Sequence, residues 1–286
     1  MRFVAYRPSD VTDPRRRYMG LVIGDRIAPL IDLDGFYDDV AGWTARARSI
    51  SEGEIPISEV KLAPPVPRDA KIICAAVNYP MHGAESGLAL PTFPNLFARW
   101  TSEIVTDGEK VPVPLAEHGL DWEVELAAII GAPATDASVA DAADSIFGYT
   151  VANDISARRA QRQASSLPTG QWGLGKNPER SAAFGSFIET ADGVDVASLR
   201  LETIVDGEVM QSGTSADMIF SVSDIIAFAS KHVTLRPGDA ILTGTPDGVG
   251  AARNPPVLMK AGASVTVRIA GLCSLTNLIV DSSHRG

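Results

Sequence analysis

Two cysteines in 286 residues, Cys74 and Cys273, leave no material for a disulfide framework or a cysteine-rich zinc site. Basic charge is also short. Against 35 Asp and Glu stand 25 Lys and Arg, for a formal net charge of −10 at pH 7. That balance repels a phosphate backbone, so no nucleic-acid partner is expected. Uncharged apolar runs such as Leu126 to Thr135 stop well short of the ~20 residues a membrane-crossing helix needs, so no membrane partner is expected either. The opening Met1-Arg2-Phe3-Val4-Ala5-Tyr6-Arg7 carries charge inside any apolar stretch and does not read as a signal peptide. Internal repeats and low-complexity tails are missing too. What is present, 45% hydrophobic and 21% charged residues, is the balance of a folded globule. The expectation is a soluble, cytoplasmic protein.

The length suits a small domain joined to a larger one. The first segment opens with a strand, Met1 to Tyr6, and continues through a hairpin from Tyr18 to Ile27 that turns at Gly24-Asp25. A partly helical stretch follows from Asp38 to Ser51. Pro64, Pro65 and Pro67 then form an extended, helix-free connector, which places a boundary between residues 1–66 and 67–286. Beyond it the pattern turns to strands: Lys71 to Val77, Val124 to Ile130, Ile146 to Ala152, Leu199 to Val205, Ala240 to Thr243 and Ser264 to Ile269. Asp206-Gly207 reads as a turn, and Val222 to Lys231 as a helix capped by Ser223. Many strands with few helices predict an α+β protein whose larger domain is mostly β.

The segment Asp121-Trp122-Glu123-Val124-Glu125-Leu126 carries the most chemistry. Residues i and i+2 of a strand share a face, so Glu123 and Glu125 stand side by side while Val124 and Leu126 enter the core. Like charges so placed repel, which suits either a solvated face or a neutralising cation. Asp154 closes an almost wholly apolar strand and is bordered by Ser156, Arg158 and Arg159, a setting compatible with a turn or an ion pair. Three carboxylates converging without cysteine or histidine would form a hard-oxygen site suited to Mg²⁺ or Mn²⁺.

His82 and Glu85 are three residues apart, so one helical turn would bring them together. A carboxylate beside an imidazole fixes its tautomer and raises its basicity, as a general base requires; a plain surface pair has the same spacing. His118, His232 and His284 have no comparable neighbour.

Taken in order, several segments resemble the fumarylacetoacetate hydrolase family: Asn78-Tyr79-x-x-His82-x-x-Glu85, Asp121-Trp122-Glu123-Val124-Glu125-Leu126, Phe147 to Arg158, Gln171-Trp172-x-x-Gly175-Lys176, Asp217-Met218-Ile219-Phe220, and Pro237 to Gly250 with its Thr243-Gly244-Thr245-Pro246 core. The resemblance runs from about residue 70 to the C-terminus. It implies a mixed β-sandwich roll with a small N-terminal α+β domain, and a homodimer. It further implies one Mg²⁺ or Mn²⁺ on Glu123, Glu125 and Asp154, and a lid whose His82 and Glu85 handle water. Lys176, Gln161 and Thr245 would contact the oxygens of a small keto-acid substrate, with Arg99 fixing a carboxylate.

This chain departs from the family pattern at Arg159, where Asp is common, at Asn177, where Ser is usual, and at Arg99, where Lys is frequent. These positions bear on the substrate more than on the chemistry. Substrate selection is expected in the lid after Glu85 and in the loop from Arg159 to Trp172. The activity implied is metal-dependent hydrolysis of a C–C bond in an acylpyruvate or β-diketo acid. The same site could serve decarboxylation, isomerisation or dehydration of related keto acids, and a non-catalytic metal-binding module is a further reading. The glycine-rich Gly244 to Gly250 segment lacks a P-loop lysine and the Gly-x-Gly-x-x-Gly spacing, which argues against nucleotide binding.

Overall fold

A computed structural model describes residues 1–13, 15–164 and 170–284. Two strands organise it. Val124–Ile130 and Ile146–Asp154 are buried along their whole length, as their near-continuous apolar runs demand, and they pair antiparallel with Val124 opposite Asn153 and Leu126 opposite Val151. Around them a large mixed sheet runs in the order Ile55–Pro56, Arg26–Asp32, Tyr18–Ile23, Arg2–Pro8, Phe187–Thr190, Ile146–Asp154, Val124–Ile130, Ala240–Leu242, Ile72–Ala76, Asn95–Arg99. A second sheet of five strands is ordered Glu208–Thr214, Arg200–Val205, Ser264–Ile269, Ser274–Val280, Lys110–Pro112. The protein is mostly β with some α, an α+β fold.

The main core joins the two sheets through Trp122, Leu126, Val151, Leu201, Val267 and Ile279, all sealed from solvent. Each such Leu or Ile contributes about 1.5–3 kcal/mol of burial. A second core lies between the large sheet and the helices Leu33–Asp38 and Val40–Ala47. Here Phe3, Phe36 and Phe147 close a triangle of rings with centroids 5.2–5.5 Å apart. The proline connector passes beside this core. The strands before and after it share one hydrogen-bonded sheet, because Arg2–Pro8 pairs with Phe187–Thr190, which pairs with Ile146–Asp154.

Most predicted elements are present with shifted ends. The Gly24-Asp25 turn joins Tyr18–Ile23 to Arg26–Asp32, and the C-terminal helix spans Val222–Ser230. Its cap is Ser221, not Ser223: Ser221 Oγ accepts the Asp224 N–H while the Asp224 carboxylate reaches back, a reciprocal capping box. Five residues of the loop from Arg159 to Trp172, 165–169, lie outside the described residues. No helix among the described residues is long and apolar enough to cross a membrane.

Candidate active site

The carboxylates converge because of strand register. Glu125 faces Ala152 across the ladder, and Asp154 N–H donates to Glu123 O over 2.9 Å just beyond it. Glu123 and Asp154 are therefore cross-strand neighbours, and Glu125 follows two residues along on the same face. One oxygen from each of the three lies within 4.8 Å of the others, and all three residues are buried.

Cations surround two of the three acids. Lys176 Nζ donates to Glu123 Oε2 at 2.5 Å and Asp154 Oδ2 at 2.6 Å. Arg158 Nη2 donates to Glu123 Oε1 at 2.5 Å while its Nε donates to Asp121 Oδ2 at 2.7 Å. Arg99 Nη1 pairs with Asp154 Oδ1. Burial alone would raise the Glu123 carboxyl, but Lys176 and Arg158 outweigh it and hold it below the usual carboxylate range. Glu125 goes the other way: burial, then the charges of Asp154 and Glu123, push it well above that range. Its hydrogen-bond donor is the Gly244 N–H, at 2.7 Å. Four buried acids, Asp121, Glu123, Glu125 and Asp154, thus face three buried cations, Arg99, Arg158 and Lys176. Full ionisation would leave one negative charge more than the cations supply, and Glu125, whose protonated form burial favours, is the acid a divalent cation would ionise; the all-oxygen donor set fits Mg²⁺ or Mn²⁺.

The histidine enters from the strand Ile72–Ala76. Just past its end stands Val77, whose φ of 57° is costly for a β-branched residue, and the chain then turns into the helix Pro80–Glu85. Pro80 suits the first helical position, where no N–H is needed. His82 Nδ1 lies 2.8 Å from Glu85 Oε1. An ionised carboxylate can only accept, so Nδ1 carries the proton and Nε2 is left basic. Glu85 Oε2 also accepts the Gly248 N–H at 2.8 Å. Burial works against the Glu85 charge, yet the bonds from His82 and Gly248 lower its pKa.

These groups open onto one cavity of about 350 Å³. Glu123, Glu125, Asp154, Lys176, Gln161, Thr245 and His82 all line it, with Phe97, Trp172 and Leu88 on an apolar side. Arg99 departs from the expectation. It does not line this cavity, because its guanidinium lies behind Asp154, bonded to that carboxylate and to Ser181 Oγ at 2.6 Å. It supports a carboxylate of the trio instead of reaching a substrate.

Three further residues shape the site. Asp121 accepts the N–H groups of Gly250 and Ala251 at 2.7 and 3.1 Å and holds Arg158. Arg158 in turn bonds Gln161 Oε1 at 3.0 Å, which directs the Gln161 Nε2 donors toward the cavity. Gln211, buried, has Oε1 toward Val124 N–H at 3.2 Å and Nε2 toward Thr245 Oγ1 at 2.9 Å and Pro246 O at 2.8 Å. Asp121 and Arg158 lay inside segments already singled out. Gln211 sits in the strand Glu208–Thr214 with no local signal marking it.

Comparison with known proteins accords with this geometry. The family model for the fumarylacetoacetate hydrolase C-terminal domain matches residues 71–280. The chain belongs to the fumarylacetoacetate hydrolase family. It is 40% identical over 227 residues to human mitochondrial oxaloacetate tautomerase FAHD2A, covering 79% of this chain and 71% of the relative. Among solved structures, maleylpyruvate hydrolase from Sphingobium sp. SYK-6 superposes with a TM-score of 0.78 at 27% identity, over 99% of this chain and 100% of that one. Fumarylpyruvate hydrolase from Pseudomonas aeruginosa, in complex with Mn²⁺ and pyruvate, superposes with a TM-score of 0.68 at 27% identity, over 76% and 91%. The family contains hydrolases, isomerases and tautomerases, and this chain is a member of that enzyme family.

Proposed function

We propose that this chain is a divalent-cation-dependent hydrolase that cleaves a C–C bond in a small acylpyruvate or β-diketo acid. The observation that carries the reading is His82, bonded through Nδ1 to Glu85, lining the same cavity as the three carboxylates. Hydrolysis adds water to a carbonyl, and that addition calls for a base. His82, with Nδ1 held by Glu85, presents Nε2 to take a proton from water.

Glu123, Glu125 and Asp154 would hold Mg²⁺ or Mn²⁺, which when bound supplies Lewis-acid stabilisation of negative charge on substrate oxygens. The chain's own donors share the orientation work. Lys176 uses two of its three N–H groups on Glu123 and Asp154, so the third is left for a substrate oxygen. Gln161 Nε2 and the Thr245 hydroxyl add two further donors, and charge-assisted bonds from the lysine are the stronger kind. The family resemblance adds a homodimer in the cytoplasm to this reading, and sedimentation velocity of the purified protein tests the dimer.

The test is turnover of acylpyruvates by purified protein with Mn²⁺ and again after EDTA, with products identified. Pyruvate plus a carboxylic acid supports the hydrolase. A second reading, keto–enol conversion of oxaloacetate, is favoured by the 40% identity to the human tautomerase; loss of the enol with no new acid formed would select it. Release of carbon dioxide would indicate a decarboxylase, and turnover unaffected by EDTA would remove the carboxylate trio from the chemistry.

A further inference from the structure

A second cavity, of about 440 Å³, lies against the proline connector and shares no lining residue with the catalytic one. Four arginines line it, Arg7, Arg17, Arg68 and Arg180, in a chain whose net charge is −10. Arg17 is only 7% exposed. Its Nη1 is anchored on the carbonyls of Pro64 and Val66, at 3.1 and 2.7 Å. Prolines at 64, 65 and 67 fix the backbone that presents those carbonyls, so the guanidinium is placed before any ligand arrives.

The acids nearby do not balance this charge. Among the described residues no carboxylate lies within 4.0 Å of Arg7, Arg17 or Arg68. Glu109, the acid lining the cavity, pairs with Arg180 at 3.1 Å, and Asp13 pairs with Arg15 at 3.0 Å. Burial works against the charge on Arg17, Asp34 offsets it in part, and Arg68 and Arg7 add like-charge repulsion. A buried arginine with no carboxylate in ion-pair contact is costly to keep. A solvated surface face does not account for it, because Arg17 is not on the surface.

We propose that this cavity is a binding site for a small multivalent oxyanion, held by Arg7, Arg17 and Arg68 with Arg180 beside them. The shared ligand chemistry is two or more anionic oxygens, as on a phosphate group or a dicarboxylate, which guanidinium forks bind in pairs. The site is independent of the catalytic reading.

The experiment is thermal unfolding of the EDTA-treated full chain with inorganic phosphate, with succinate, and with sodium chloride at matched ionic strength. At about ten times its dissociation constant, a bound anion is expected to raise Tm by about 3 °C in a saturable way, while chloride gives no saturating rise. Arg7→Gln with Arg68→Gln, both outside the buried core, is expected to abolish the rise. Arg162→Gln, on the catalytic cavity, is expected to keep it. A response to phosphate alone identifies a phosphate-bearing ligand, and a response to succinate alone a dicarboxylate. The proposal is overturned if neither anion exceeds the chloride control, if the double variant keeps the rise, or if Arg162→Gln removes it. A changed elution volume in the double variant would also overturn it, by assigning the arginines to an interface.

Discussion

Gln211 Nε2 donates to Thr245 Oγ1 over 2.9 Å, and its chemical surroundings allow no other direction. The Val124 N–H can only donate and the Pro246 carbonyl can only accept, so the amide cannot be turned over. The Thr245 hydroxyl accepts from the amide and must point its own proton elsewhere, toward the cavity it lines.

Gln211→Glu reverses that polarity, since a carboxylate accepts the Thr245 proton. The expected result is a fall in kcat/KM of about 10- to 100-fold, the loss of one hydrogen bond to a charged oxygen. Thr245→Val should then add little in the Gln211→Glu background. Steady-state kinetics of the two single variants and the double variant check this.

Glu125→Gln should have opposite effects on the metal-free and metal-bound forms. A carboxyl whose folded pKa is raised binds its proton more tightly in the folded chain than in the unfolded one. Its ionisation therefore costs stability once pH exceeds the unfolded carboxylate value. Metal-free wild type should lose Tm as pH rises through the neutral range, and the glutamine variant should lose less. Saturating Mn²⁺ should restore Tm in wild type and fail to do so in the variant. Scanning calorimetry across pH with and without Mn²⁺ reads both.

His82→Ala is expected to leave Mn²⁺ affinity unchanged while turnover falls by about 10²-fold or more, the usual contribution of a general base. Calorimetric titration of Mn²⁺ beside the kinetic assay separates the two. Turnover within about twofold of wild type would take the base role away from His82.

Glu85 has a depressed pKa, so the docking it contributes is present above the ordinary carboxylate value and is lost only as pH falls below that range. Amides of the helix Pro80–Glu85 should keep their hydrogen-exchange protection through mildly acidic pH. Glu85→Ala should lose that protection at every pH, because Gly248 loses its acceptor. Exchange measured by mass spectrometry from mildly acidic to neutral pH checks both statements.

Much of this was legible along the chain because the central strands are buried on both faces and write continuous apolar runs, as Val124 to Ile130 does. The carboxylates could be named for the same reason, since strand alternation alone sets Glu123 beside Glu125. Their meeting with Asp154 depends on a register between distant segments, which no local pattern encodes. Ser274–Val280 escaped notice because Asn277, buried and bonded to the carbonyls of Thr106 and Glu109, interrupts its apolar alternation. The charge of Arg99 suits a substrate carboxylate, but packing gives it Asp154 instead. Helix capping failed by two residues, since Ser221 and Ser223 differ only in which one has Asp three positions on.

The carboxylate that orients His82 is also the one that grips Gly248. Undocking the Pro80–Glu85 helix therefore removes a wall of the reaction chamber and an aligned proton acceptor in a single motion. On the proposed hydrolase reading, water reaching the opened chamber would find His82 and Glu85 carried away together, so the placing of the base over the carboxylates rests on one glutamate.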